Sequence, residues 1–185
     1  HRYNKMPNEK IYIEDTIVAS ASGDGSAGVN VIRVSGPDTE DIASILLKSL
    51  PEPRIASYTK FQNKNKEIID VGIALYFPAP NSYTGESILE LHAHGGSIIG
   101  NSIIEEIISL GARQAQPGEF TKRAYLNGKI DLTQAEAVAD LINSGTRRSA
   151  KAAIQSLTGK FSNLVKSLDE QLTKLRLFVE ASIDF

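Results

Sequence analysis

The chain has 185 residues, a formal net charge of −2 and no cysteine. That length holds one large domain or two small ones, and 41% hydrophobic content is enough to build a core. The charge provides no general basic field for nucleic acid, and the lack of thiols excludes a disulfide framework and a thiolate metal site. No apolar run approaches the ~20 residues of a membrane-spanning helix. The opening residues, HRYNKMPNEK, lack the apolar stretch of a signal peptide and include Glu9. A reducing, cytoplasmic setting without membrane attachment is the default expectation.

Residues 1–14 read as an N-terminal extension. Thr16 to Ser20 is a short apolar strand, and Ser22 to Gly28 is a glycine-rich loop, SGDGSAG. Val29 to Ser35 is a β-branched run that places Val29, Val31 and Arg33 on one period-2 face. Gly36-Pro37 stops it. Asp38 to Leu50 has helical spacing, with Ile42, Ile45, Leu46 and Leu50 on one side, and Pro51 and Pro53 end it. Ile55 to Gln62 and Ile68 to Phe77 form a hairpin around a polar Asn63–Lys66 turn. Ser87 to His94 is a further strand. Ser97 to Leu110 is a helix closed by Gly111, and Arg113 to Gln116 is a short last strand.

Pro117 to Ile142 is the joint of the chain. Glu119 to Leu126 is a short helix ended by Asn127-Gly128, residues that tolerate positive φ. Lys129 follows in a connector. Thr133 then opens a second helix, with Glu136 three residues on as a capping box. Everything before this stretch mixes strand and helix; everything after it is helical. From Ala150 to Ile183 apolar residues recur at steps of three and four, which predicts one amphipathic helix of about 50 Å, kinked at Gly159.

Two glycine patterns are rejected as nucleotide sites. Gly23, Gly25 and Gly28 match G-x-G-x-x-G, but a β-branched run follows where a helix is required. A phosphate loop starting at Gly95 would need lysine where Asn101 stands. The strand Ser87 to His94 carries more information. Leu89, Leu91 and Ala93 face the core, and Glu90, His92 and His94 face the other way. Three readings are open for that polar face. It is a solvated surface; or His92 and His94 are an H-x-H metal pair needing ligands from elsewhere, since Glu90 and His94 lie about 13 Å apart along a strand; or Glu90 accepts two parallel hydrogen bonds from an amino-pyrimidine edge.

Three runs resemble the MnmE/TrmE family of tRNA-modification GTPases: DTIVASASGDGSAGVNVIRVSG, FPAPNSYTGESILELHAHGG and GEFTKRAYLNGKIDLTQAEAVADLI, followed by a closing VEASIDF. They occur in the family's order from Asp15 onward. The first departs from the family's proline- and glycine-rich loop at Gly23-Asp24, Ala27 and Asn30. The resemblance implies a domain similar to folate-dependent one-carbon enzymes, and it favours the third reading of the strand. The folate contacts it implies are Arg33, Glu90 and Lys129, with no metal ligand and no catalytic residue. The implied cofactor is a tetrahydrofolate derivative, 5-formyl- or methylene-tetrahydrofolate.

For the whole family protein, the resemblance implies a homodimer working with an FAD-containing MnmG/GidA-type partner on C5 of the wobble uridine of tRNA. GTP, potassium and magnesium would belong to a GTPase domain that these residues do not include. The chain therefore reads as the N-terminal part of such a protein. The expected class is α+β: a mixed sheet-and-helix tetrahydrofolate-binding and dimerisation domain over 15–127, then an all-α segment over 128–185 that begins the helical domain. Two rivals stand beside it, an assembly module that binds no small molecule and a stand-alone folate-dependent one-carbon transferase.

Overall fold

The computed structural model describes residues 15–22 and 28–183. The extension over 1–14 and most of the expected glycine loop, residues 23–27, lie outside the described residues. The chain divides into two compact units, one taking in the chain up to Ser82 together with Glu86–Ala115, the other Tyr83–Gly85 together with Gln116 to the end.

The first unit is a mixed sheet with helices on one face. Its elements are β1 (Ile17–Ser20), β2 (Val29–Ser35), α1 (Thr39–Leu47), β3 (Ser57–Gln62), β4 (Ile68–Phe77), β5 (Ile88–His94), α2 (Ser97–Ser109) and β6 (Arg113–Gln114). The spatial order is β3-β4-β5-β2-β1-β6. All neighbours are antiparallel except β1 and β6, which run parallel. The period-2 alternation read from the sequence sets the faces. Ile32 and Val34 of β2 and Leu89, Leu91 and Ala93 of β5 point into one core with Ile42 and Leu46 of α1 and Ile103 and Ile107 of α2. Each fully buried large aliphatic side chain contributes roughly 1.5–3 kcal/mol, so this shared layer fixes both helices to one side of the sheet. The other side carries Arg33, Glu90, His92 and His94 among apolar neighbours such as Leu75 and Ile73.

Local chemistry explains the connections. In the hairpin turn, the Asn63 side-chain oxygen accepts the backbone N–H groups of Asn65 and Glu67, each at 2.9 Å, and Lys66 takes a positive φ of 67°. At Gly36 (φ 140°) an added Cβ would come within 2.6 Å of the Thr16 Cα, so only glycine lets β2 turn so close to β1. Helix α1 is shorter than the sequence suggests. It stops at Leu47 because Lys48 adopts the left-handed conformation. Its buried stripe is Thr39, Ile42, Ala43, Leu46 and Leu47, whereas Ile45 and Leu50 are exposed.

The second unit carries α3 (Glu119–Leu126), α4 (Leu132–Ile142), α5 (Arg147–Leu157) and α6 (Lys160–Ile183). Helix α4 differs from expectation at its start. The capping box is Asp131/Gln134, not Thr133/Glu136. The Asp131 Oδ1 accepts the Gln134 N–H at 2.9 Å, and the Gln134 Oε1 accepts the Asp131 N–H at 3.0 Å. A good acidic cap two residues upstream takes the orphan N–H groups first and leaves Thr133 inside the first turn. The expected single long helix is two helices. Gly159 sits at φ 78°, a left-handed turn that breaks the hydrogen-bond ladder rather than bending it. Gln134 Nε2 donates to the Leu157 carbonyl at 2.9 Å and satisfies one of the carbonyls left open at the end of α5. Ala137 and Ala153 are buried in this unit, while Leu164, Leu168, Leu172, Leu175 and Val179 along α6 stay about half exposed or more.

Candidate functional site

On the open face of the sheet, register lines up the side chains in cross-strand rows. Leu75, Glu90 and Arg33 form one row across β4, β5 and β2. Ile73, His92 and Val31 form the next, and His94 stands opposite Val29 beyond it. Glu90 and Arg33 are thus direct cross-strand partners in the interior of the sheet. Arg33 does not stand on an edge strand, because β1 and β5 flank β2 on both sides.

The two side chains pair. Arg33 Nε donates to Glu90 Oε1 at 2.8 Å, and Arg33 Nη2 reaches the same oxygen at 2.7 Å. Their side chains are 25% and 17% exposed, so the charges are shielded from water without being sealed. Charge-assisted contacts of this kind are stronger than a neutral hydrogen bond, and both converge on Oε1. The other oxygen, Oε2, faces His92 Nε2 across 3.8 Å. That gap exceeds a hydrogen bond. His92 Nε2 is closed to solvent and has no hydrogen-bond partner. A buried polar atom in that state is unusual in a folded protein.

The two histidines go different ways. The His94 Nδ1 pairs with Asp70 Oδ1 at 2.8 Å, while the His94 backbone N–H donates to Asp70 Oδ2 at 2.8 Å. Burial pushes the Asp70 carboxyl up, but the His94 backbone N–H and then its ring outweigh that and hold it below the usual carboxylate range. Among the described residues, no group of three His, Asp or Glu side chains gathers as a metal would need. Asn101 lies within α2, which gives the Gly95–Gly100 stretch a helical role.

Lys129 belongs to the second unit. Its N–H donates to the Ala124 carbonyl at 2.8 Å, closing the end of α3, and Gly128 before it takes φ 67°. A Cβ placed on Gly85 would come within 3.3 Å of Lys129 Cγ and Cδ and within 3.1 Å of Asn127 Cβ, so the lysine stem lies against a bare glycine backbone. Asn127 Nδ2 donates to the Thr84 carbonyl at 2.7 Å and fixes the same corner. The Lys129 side chain is exposed beyond that contact.

Of the three residues singled out from the sequence, the structure brings Arg33 and Glu90 into contact, and Lys129 lies in the other unit. Sequence reasoning missed Asp70. Its one signal was an acidic residue inside the otherwise apolar run IIDVGIALYF. It also missed the Glu119–Arg123 pair, 3.2 Å apart on α3, whose arginine side chain is only 1% exposed. Their i, i+4 spacing was visible, but nothing local told that they are buried.

Comparison with known proteins places this geometry. Residues 16–129 match the family described as GTP-binding protein TrmE N-terminus, and residues 132–185 match the MnmE helical domain. The chain is 51% identical over 171 residues to the tRNA modification GTPase MnmE of Coxiella burnetii (strain RSA 493 / Nine Mile phase I), and 53% identical over 171 residues to that of Nitrosospira multiformis. Each of these alignments covers 92% of this chain and 38% of the relative. The MnmE of Chromohalobacter salexigens is 49% identical over 180 residues, 97% of this chain and 39% of its own length. The chain therefore spans about two-fifths of the length of these curated relatives. On both family matches and this level of identity across nearly all of its residues, the chain belongs to the MnmE/TrmE family of tRNA-modification GTPases.

Proposed function

We propose that this chain binds a tetrahydrofolate one-carbon carrier and forms a homodimer, as the N-terminal portion of a tRNA-modification GTPase. The observation that carries the reading is the Arg33–Glu90 pair on the open sheet face. As a device for stability it is weak, because partly exposed ion pairs contribute about 0–1 kcal/mol. As a recognition device it is well built. Arg33 anchors one oxygen, and the remaining acceptor capacity suits the parallel N–H donors of an amino-pyrimidine edge. The unpartnered His92 Nε2 beside it fits a position completed by a ligand. Lys129, with its stem fixed against Gly85, offers an ammonium for the anionic glutamate tail or a carbonyl oxygen.

When bound, the folate supplies a one-carbon unit at its N5 and N10 nitrogens. The chain's residues hold and orient the carrier. The domain boundary expected near residue 127 goes with this reading. So does a cytoplasmic protein that works with an FAD-containing MnmG/GidA-type partner on C5 of the wobble uridine of tRNA. GTP hydrolysis, with its magnesium and potassium, is assigned to sequence outside these residues.

An assembly module without a small ligand is the second reading. It is favoured by the exposed apolar residues on the open sheet face, Tyr58 and Ile73, and along α6. Calorimetry with 5-formyl-tetrahydrofolate separates the two. Saturable binding that falls ten- to a hundredfold in Glu90→Gln, and weakens in Arg33→Ala and Lys129→Ala without unfolding, supports the folate reading; that range corresponds to ~1.5–3 kcal/mol for a charge-assisted pair. Affinity unchanged in all three variants leaves assembly ahead.

A further inference from the structure

We propose that Asp70 and His94 form a proton-transfer dyad serving the one-carbon chemistry on the open sheet face, with His94 Nε2 as the atom that carries the proton. The inference rests on the folate reading above and adds to it a residue pair outside the Arg33, Glu90 and Lys129 set.

The geometry is specific. The Asp70 side chain is only 10% exposed and meets His94 with both oxygens, Oδ1 at the ring and Oδ2 at the His94 backbone N–H, while the Val71 backbone N–H also donates to the carboxylate. The two bonds to His94 fix ring position and tautomer together: Nδ1–H donates to the carboxylate, and Nε2 keeps its lone pair. The ring itself is 69% exposed, and among the described residues nothing bonds to Nε2. A carboxylate that orients an imidazole, and stabilises it when it takes up a proton, is the arrangement general acid–base catalysis uses. A surface pair kept only for stability gains little from burying its acid.

Placement agrees with this use. Glu90, His92 and His94 share one face of β5, and His94 stands about 13 Å along the strand from Glu90. A reduced pterin held by its amino-pyrimidine edge at Glu90 would have His94 as an imidazole farther along the same strand face. The step would balance without any further reactant. Once Nε2 has taken up a proton, it would pass that proton to N10 of a methylene carrier; N10 would keep the electron pair of its broken bond to the one-carbon unit and become a neutral amine, and the N5 lone pair would form the new bond to that carbon, so the positive charge would end on N5. The imidazole would return to neutral, still held at Nδ1 by Asp70.

The test uses the whole chain, with 15N-labelled histidines and 5-formyl-tetrahydrofolate as the probe. The chain has three histidines, and His94→Gln assigns the resonance. The expected result is a saturable shift of the His94 Nε2 signal, with the same midpoint that calorimetry gives. In a second arm, exchange of 13C-formaldehyde into protein-bound methylene-tetrahydrofolate slows by at least about tenfold in His94→Gln, and by less in Asp70→Asn, while 5-formyl-tetrahydrofolate affinity stays within about threefold. A His94 signal that does not move while the ligand binds overturns the proposal and leaves the folate reading standing, as does a His94→Gln chain that exchanges at the wild-type rate. Failure of the unaltered chain to bind the ligand at all removes both.

Discussion

Gly72→Ala tests whether the open face depends on the fit between β4 and β5. Gly72 lies in β4 beside β5, and a Cβ added there would stand 2.1 Å from the His92 carbonyl oxygen. Real Cβ atoms do not approach a carbonyl oxygen so closely, and the obstacle is backbone, which cannot rotate away like a side chain. Relief requires β5 to part from β4 by about an ångström, against an inter-strand spacing of about 4.8 Å. Ladder hydrogen bonds around Ile73–His92 then lengthen past their useful range, each contributing ~0.5–1.5 kcal/mol. Overpacking adds ~1–3 kcal/mol of strain. The total is ~3 kcal/mol or more, a large share of the ~5–15 kcal/mol that holds a domain together. In thermal denaturation that corresponds to a fall in Tm of about 10 °C or more. Gly145→Ala is the control, because its added Cβ meets nothing within 4 Å. A Gly72→Ala chain that melts within about 2 °C of the unaltered one refutes the reasoning about this contact.

Other outcomes follow from the same geometry. Gly85→Ala meets Asn127 and Lys129 and forces a side chain onto φ 81°, so calorimetric folate affinity and Tm should both fall, by ~1–3 kcal/mol in stability. Asp131→Ala removes the side-chain half of the α4 capping box, the acceptor of the Gln134 N–H, and should cost ~0.5–2 kcal/mol in denaturant unfolding. Asp70 titrates below its unfolded value, so its contribution to stability is present above about pH 4 and is lost as pH falls further; Asp70→Asn should flatten the stability–pH curve in that acid window and leave its neutral shape alone. Deleting residues 160–185 removes the exposed apolar residues of α6, so the shortened chain should sediment with less self-association than the full one.

Much of the fold was legible because it is local. The alternation in VNVIRVS and ILELHAH set the core and open faces of β2 and β5, since a strand's period is fixed by its pleat. The Asn-rich hairpin turn and the glycine that ends α3 announced themselves by residue type. The errors were of a different kind. A choice between two plausible caps, Asp131 or Thr133, depends on which reaches the free N–H groups first. Whether Gly159 bends or breaks a helix depends on its φ, which periodicity does not report. The ends of α1 depended on a lysine adopting a left-handed conformation, which its residue type disfavours.

The site was legible only in part. Arg33 and Glu90 were identified separately, each as a contact for a ligand, because the sequence does not state strand register. Their contact came from the pairing of β2 with β5. The partner of Asp70 was hidden for the same reason. Asp70 is separated from His94 by 24 residues and becomes its partner only across β4 and β5. Lys129 carried no chemical signature beyond an odd place for a lysine, and family resemblance alone singled it out.

A crystal structure of the chain with 5-formyl-tetrahydrofolate tests the central claim most directly. The account predicts the amino-pyrimidine edge of the pterin within hydrogen-bond distance of the Glu90 carboxylate, with Arg33 still on Oε1 and the ligand lying over β5. A ligand bound elsewhere, with Glu90 touching only Arg33 and His92, would contradict it.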